Sequence, residues 1–369
     1  MIFEFENKRI CERLVELKSS LDSAIEAVEV LNDVEEVSND PSFFKDTAVK
    51  RNTLVKEGYE YFYNALSSIY TKSDIKYCLP IIYKHIDRIQ PIKLNFYNEE
   101  LIKQYKTSIK NYKLSKFSLT KDLFSKGMMM QLDEPYIDGD YEKYEYGYFD
   151  NDTEIVQLVE DDIVWMSLLP NEIITMNKDK NKLFGNVLCA GLGMAYFPLL
   201  LTRKDSIKEI DVIELDNNII KIYEESIKGR VGGTEKINII NGNAITYINK
   251  YAKEKYDSIY IDIWHDVNDG IPLYLYFKSH EIKNIKYVYW IERSMLIYFR
   301  RFLITFIYEK YFKYDVKEDE DSLEQRIFNY IERALSTTSI NNTEQIDDLI
   351  KLENIEKLIK NNKFELNEN

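Results

Sequence analysis

The sequence predicts an α/β protein: a parallel β-sheet with helical crossovers, preceded by a helical N-terminal domain and a small β segment and followed by a helical tail. Three observations carry this reading. After Asn181, short runs rich in Val, Ile and Tyr alternate with helix-length segments, the texture of right-handed crossovers in a parallel sheet. From Glu6 to Leu31 apolar residues recur at a three-four spacing. Between Met128 and Glu160 the chain is rich in Gly, Asp and Tyr, as expected of short strands joined by turns. The expected boundaries are 1–125 for the helical domain, 126–160 for the small antiparallel β segment, 161–315 for the parallel-sheet domain and 316–369 for the helical tail.

Taken in order, Ile10, Leu14, Leu17, Leu21, Ala24, Val28 and Leu31 fall on one face of a first helix. Such a face can pair with a second copy to give a homodimer or pack on the helices expected over Asp46 to Tyr70 and Ser73 to Ile89. The stretch DDIVWMSLLPNEI reads as a helix that begins near Asp162 and stops or kinks at Pro170. Five strands follow, over Asn186–Ala190, Ile210–Leu215, Lys236–Asn241, Tyr256–Ile263 and Ile285–Ile291. Beyond them RSMLIYFRRFLITFIYEKYF is a mostly apolar helix and Glu318 to Asp321 an acidic run. Ser322 with Gln325, and Asn342 with Gln345, fit capping boxes that open two further helices.

Bulk properties narrow the function. The 49 basic and 63 acidic side chains leave a net charge of -14, which disfavours non-specific nucleic-acid binding, since that rests on phosphate neutralisation. Cys11, Cys78 and Cys189 are far apart and in no metal-ligand spacing, so neither a disulfide framework nor a metal site is expected. The start MIFEFENKRI lacks the pattern of a secretory signal and no apolar run reaches membrane-spanning length, so a cytoplasmic protein that does not enter membranes is expected.

The informative stretch is VLCAGLGMAYFPLLL, Val187 to Leu201: a buried strand, a glycine turn and an apolar helix. A dinucleotide fingerprint G-x-G-x-x-G fails here because Tyr196 stands at the third glycine. The pattern G-x-G-x-A fits, with Gly191, Gly193 and Ala195. With it come VIELD, which ends the second strand in Glu214 followed by Asp216, then GNA with Asn243 and Ala244, and YDSIYIDIWHD, which supplies Asp262 on the fourth strand. Between Val187 and Ile291 the chain resembles the class I S-adenosylmethionine-dependent methyltransferases, and among them the spermidine-synthase-like branch.

The resemblance implies a Rossmann-like parallel sheet that binds S-adenosylmethionine or its decarboxylated form at the carboxyl ends of its strands. Gly191, Gly193 and Ala195 would form the turn, Glu214 and Asp216 would face the ribose, Asn243 and Ala244 the adenine, and Asp262 the sulfonium region. A carboxylate offers two acceptor oxygens to a vicinal diol, which has two donors.

From the residues, Asp262, His265 and Asp266 are the candidate catalytic groups: Asp262 to orient an amine or oppose the cation, His265 to accept a proton near neutral pH. Trp264 can wall the pocket. Each has a plainer use, His265 in a loop, Trp264 in the core and Asp266 as the cap of the next helix. The chain has DIWH where exocyclic-amine DNA methyltransferases carry an Asp/Asn/Ser-Pro-Pro-aromatic motif, so DNA-base methylation is not expected. Polyamine aminopropyltransferases carry an Asp-Ser-Ser-Asp type of motif there; Asp262 matches its first aspartate, while the second is displaced to Asp266. Methyl transfer to a small-molecule or protein acceptor is the first reading, aminopropyl transfer the second, and an inactive scaffold that binds a protein partner through its helical front the third. The family's usual antiparallel hairpin after the fifth strand is not visible in the sequence.

Overall fold

The computed structural model describes residues 2–3, 7–39, 66–67, 69–92, 99–314 and 322–366. Helix α1 (Lys8–Asn39) buries Ile10, Leu14, Leu17, Leu21, Ala24 and Leu31, the stripe set by its apolar spacing. Most of the helix expected over Asp46 to Tyr70 lies outside the described residues. Next come β1 (Ile2–Phe3), ahead of α1 in the chain, and α2 (Lys72–His85), opened by a Thr71–Asp74 capping box. The backbone turns extended at Ile86, so the helix expected to run to Ile89 gives way to β2 (Ile86–Ile92).

The stretch expected to be helical as far as residue 125 therefore carries strands as well. After α3 (Glu100–Ser108) come β3 (Tyr112–Leu114), β4 (Phe117–Phe124), β5 (Met129–Gln131), β6 (Tyr136–Asp138), β7 (Tyr141–Phe149), β8 (Thr153–Glu160) and β9 (Ile163–Ser167). They form two four-stranded sheets, one in the order β3-β4-β8-β9 and antiparallel throughout, the other β2-β7-β5 with β6 also on β7; in the second, β2 runs parallel to β7.

A second correction falls at Pro170. Residues Ile163–Ser167 are a strand paired with β8, and Pro170 opens α4 (Pro170–Lys180) instead of ending a helix. Proline lacks only an N–H that the first helical turn leaves unpaired anyway, and it pushes the residue before it to extended backbone, as Leu169 shows with φ -74° and ψ 156°.

The expected five-stranded sheet follows: β10 (Gly185–Ala190), α5 (Tyr196–Leu201), β11 (Ile207–Glu214), α6 (Asn217–Ile222), β12 (Ile237–Asn241), α7 (Ala244–Lys255), β13 (Ser258–Ile261), α8 (Val267–Ser279) and β14 (Lys286–Tyr289). All neighbours are parallel, in the order β12-β11-β10-β13-β14. The fold is Rossmann-like. Chain order reverses at β10, the kind of switch point where such sheets open a crevice beyond the carboxyl ends of their strands.

Side chains of β10 alternate between two cores: Leu188 and Ala190 face one, which also holds Ile10 to Leu21 of α1, and Val187 and Cys189 face the other. The apolar face of α1 is thus occupied within the chain. After β14, α9 (Glu292–Phe312) continues where a hairpin is usual, and among the described residues the parallel sheet stops at five strands. The tail forms α10 (Leu323–Ala334), β15 (Ser339–Ile340), which pairs with β1, α11 (Thr343–Leu349) and α12 (Leu352–Asn361). Ser322 and Asn342 cap α10 and α11 by accepting the backbone N–H of Gln325 and Gln345. Among the described residues no helix is long and apolar enough to cross a membrane.

Candidate active site

A cavity of about 470 Å³ lies at the carboxyl ends of β10, β11, β12 and β13. Its floor begins at the glycine turn. Gly191 has φ +96°, and a Cβ there would stand 1.9 Å from the carbonyl oxygen of Asp262, so no other residue fits between β10 and β13. Gly193, at φ +48°, lies under the sulfur of Met166, 2.6 Å from where a Cβ would be. Ala195 takes the left-handed conformation at the end of the turn; it is fully buried and does not line the cavity.

Glu214 ends β11 at the cavity wall. Its carboxylate accepts the backbone N–H of Leu192 at 3.0 Å and that of Asp216 at 2.8 Å, one on each oxygen, which ties the strand end to the glycine turn. Burial nevertheless raises its pKa, against these hydrogen bonds. Asp216 lines the wall and caps α6 through the N–H of Asn218. Asn243 caps α7 by accepting the N–H of Thr246, and Ala244 follows at the wall.

Asp262 is placed differently. Its carboxylate accepts no hydrogen bond from the described residues, and burial first, then the nearby carboxylates of Glu172 and Asp179, pushes its pKa well up. Asp266 does not line the cavity: with Asp269 it forms the capping box of α8. His265 also stays outside the wall, its Nε2 2.8 Å from the carbonyl oxygen of Val164 and its ring 5.7 Å from that of Trp165. Of the three catalytic candidates the fold brings only Asp262 into the cavity, because Asp266 and His265 follow it into the turn that starts α8.

With that arrangement established, the chain can be set beside known proteins. Residues 192–288 match the spermine/spermidine synthase domain family. That family has the class I S-adenosylmethionine-dependent methyltransferase fold, and the matched residues run from the glycine turn to β14. Two solved structures are similar at low identity: a spermidine synthase from Thermotoga maritima (14% identical, TM-score 0.32, covering 52% of this chain and 62% of that one) and MnmC2 from Aquifex aeolicus (14%, 0.26, 41% and 60%). The chain thus spans somewhat under two thirds of the length of either. No curated protein matches it.

The matched segment does not supply the whole site. Glu172 on α4 reaches the cavity from outside it and receives the N–H of Ser167 at 2.9 Å and its hydroxyl at 2.7 Å; burial raises its pKa to about 7. Trp165 and Met166 on β9 complete the wall, with Trp290 just after β14. Sequence reasoning missed Glu172. Its only local signal was an acidic residue in the first turn after Pro170, which also suits a helix dipole, and its place over Asp262 depends on how the β8–β9 hairpin packs.

The cavity wall carries five carboxylates, Glu160, Glu172, Glu214, Asp216 and Asp262, and among the described residues no Lys, Arg or His. Two buried polar atoms on residues lining it, the Tyr260 hydroxyl and Trp264 Nε1, have no hydrogen-bond partner among the described residues. The unpartnered carboxylate suits a cationic group of a ligand, and the two orphaned donors suit its hydrogen-bond acceptors.

Proposed function

We propose that this chain is a transferase that moves an alkyl group from an adenosyl sulfonium donor to an amine, with decarboxylated S-adenosylmethionine as the preferred donor. The observation that carries the reading is the charge of the cavity: five carboxylates, one of them unpartnered, and no basic side chain. The carboxylate of S-adenosylmethionine would find no cation on the wall, since Lys116, outside the lining, is paired with Glu160, whereas the ammonium and sulfonium groups of the decarboxylated form would favour ionisation of the wall's carboxyl groups.

The residues fit such a donor. Each Glu214 oxygen already holds one backbone N–H and keeps a second acceptor direction for a ribose hydroxyl. Asp216 and Asn243 stand at the ribose and adenine ends, and their caps hold α6 and α7 in place. When bound, the donor supplies a carbon made electrophilic by the adjacent sulfonium. Asp262 opposes positive charge at that end and holds an incoming amine in line. An amine attacks only through its lone pair, so it must lose a proton; the C–N bond forms, the C–S bond breaks with its electrons going to sulfur, and Glu172, with a pKa of about 7, takes the proton.

One observation favours methyl transfer instead. Asp266 is spent on the α8 cap, so the second aspartate expected of a diamine-binding motif is not in the cavity. Calorimetric titration with both donors separates the readings. At least tenfold tighter binding of the decarboxylated form is expected; the reverse preference would establish the methyl donor, and binding of neither would remove the transferase reading.

A further inference from the structure

A further cavity, of about 540 Å³, shares no lining residue with the first. It lies between α1, the turn joining β6 to β7, the N-terminal half of α9 and the junction of α11 with α12. Arg13, Arg293, Arg300 and Lys351 line it, with Asp140, Asp347 and Glu353. Two of its three acidic groups share one cation: Arg13 grips both oxygens of Asp140 at 2.6 Å and reaches Asp347 at 2.7 Å.

Arg300 stands apart. It is 3% exposed, and its guanidinium makes no hydrogen bond or ion pair with the described residues, meeting the charges of Glu142 and Asp140 only at longer range. Its neighbour Arg301 takes the one buried carboxylate close by, Glu142, at 2.6 Å. Arginine cannot shed its charge, and a buried guanidinium with five unused donors is costly unless something accepts them. Arg293 is partly engaged: its Nη2 donates to the Glu134 carbonyl oxygen at 2.6 Å and stands 3.5 Å from the Asp133 carboxylate, while its Nε is buried without a partner among the described residues. Unused donors from two turns of α9 converge on one cleft in a chain whose net charge is -14, so general charge does not explain them.

We propose that this cleft is an anion site, in which Arg300, supported by Arg293, binds a carboxylate or phosphate group. The guanidinium fork suits the two oxygens of either group. Both groups occur as free ions and as ends of organic molecules, and the size of the cleft admits more than a bare ion.

The test is thermal unfolding and calorimetric titration of the full chain with inorganic phosphate and with acetate, against chloride at equal ionic strength. Saturable binding of phosphate or acetate is expected, weakened at least tenfold in Arg300→Met and several-fold in Arg293→Gln. Whichever anion binds more tightly identifies the group. Arg300→Met should melt no lower than the native chain in chloride, since it removes an unpaired buried charge, and should bind the sulfonium donor unchanged. Equal responses to all three salts would overturn the proposal, as would phosphate or acetate binding that survives both substitutions. If Arg300→Met does not fold, Arg293→Gln decides: unchanged anion binding there would overturn the site.

Discussion

The Glu214 carboxylate accepts the backbone N–H of Leu192 across 3.0 Å, joining the end of one strand to the glycine turn that follows its neighbour. One side chain therefore shapes the turn and faces the cavity. Glu214→Ala should lose both uses: donor affinity should fall by about 2 kcal/mol or more, roughly thirtyfold, since a charge-assisted hydrogen bond is worth about that much. Glu214→Gln keeps one acceptor oxygen and should fall between. Calorimetry reads both, and unchanged affinity in the alanine variant would displace the ribose from this position.

Gly191 gives a steric prediction. At φ +96° and with a Cβ 1.9 Å from the Asp262 carbonyl oxygen, Gly191→Ala must push β10 and β13 apart. Loss of donor binding and a destabilisation above about 3 kcal/mol are expected. Gly229 is the control, because it has φ +74° but nothing within 4 Å of its Cβ position. Gly229→Ala should cost only the left-handed strain, about 1 kcal/mol, and leave binding intact.

How much of this was legible in the sequence follows from what each residue depends on. Gly191, Glu214 and Asp262 sit at strand ends, and strand order alone brings them to one edge, so the glycine turn and the strand spacing located them. The motif marks Asp266 and Asn243 alike; Asp266 caps α8 outside the cavity, whereas Asn243 caps α7 and lines the cavity as well. Glu172 is not legible because it lies on α4, outside the strand-end pattern, and the β9 strand whose Ser167 holds it reads in the sequence as a helix. From sequence alone Pro170 suits a stop; the same ring constraint suits a start, and the pairing of Ile163–Ser167 with β8 decides for the start.

Glu172 also sets a pH dependence. Its folded pKa of about 7 lies above the ordinary value of about 4.3, so the folded state holds its proton longer than the unfolded chain. Its contribution to stability is fully present below the unfolded pKa and is lost as pH rises through about 7. Asp262 and Asp179, both raised, act in the same direction. Glu172→Gln should therefore match the native chain near pH 4 and exceed it in melting temperature at pH 8. A cationic ligand reverses the preference, since it favours the ionised carboxylates, so ligand binding should tighten from pH 6 to pH 8 and release protons. The proton release is measured by titrating in buffers of different ionisation enthalpy, and a pH-independent affinity would remove Glu172 from the cavity's charge.

His265 is the residue for which sequence and structure suggest different experiments. As a general base it would give a pH profile that vanishes on substitution. In the structure its Nε2 meets the Val164 carbonyl oxygen at 2.8 Å and its ring lies against Trp165, so it holds β9, and with it Met166, over the glycine turn. Its effect on the reaction then runs through the position of the cavity wall. His265→Ala should raise KM severalfold, change kcat little and leave the pH profile in place, while His265→Gln, which can still donate to Val164, should recover much of the loss. A fall in kcat that the glutamine does not rescue, with loss of the acidic limb of the profile, would return His265 to the chemistry.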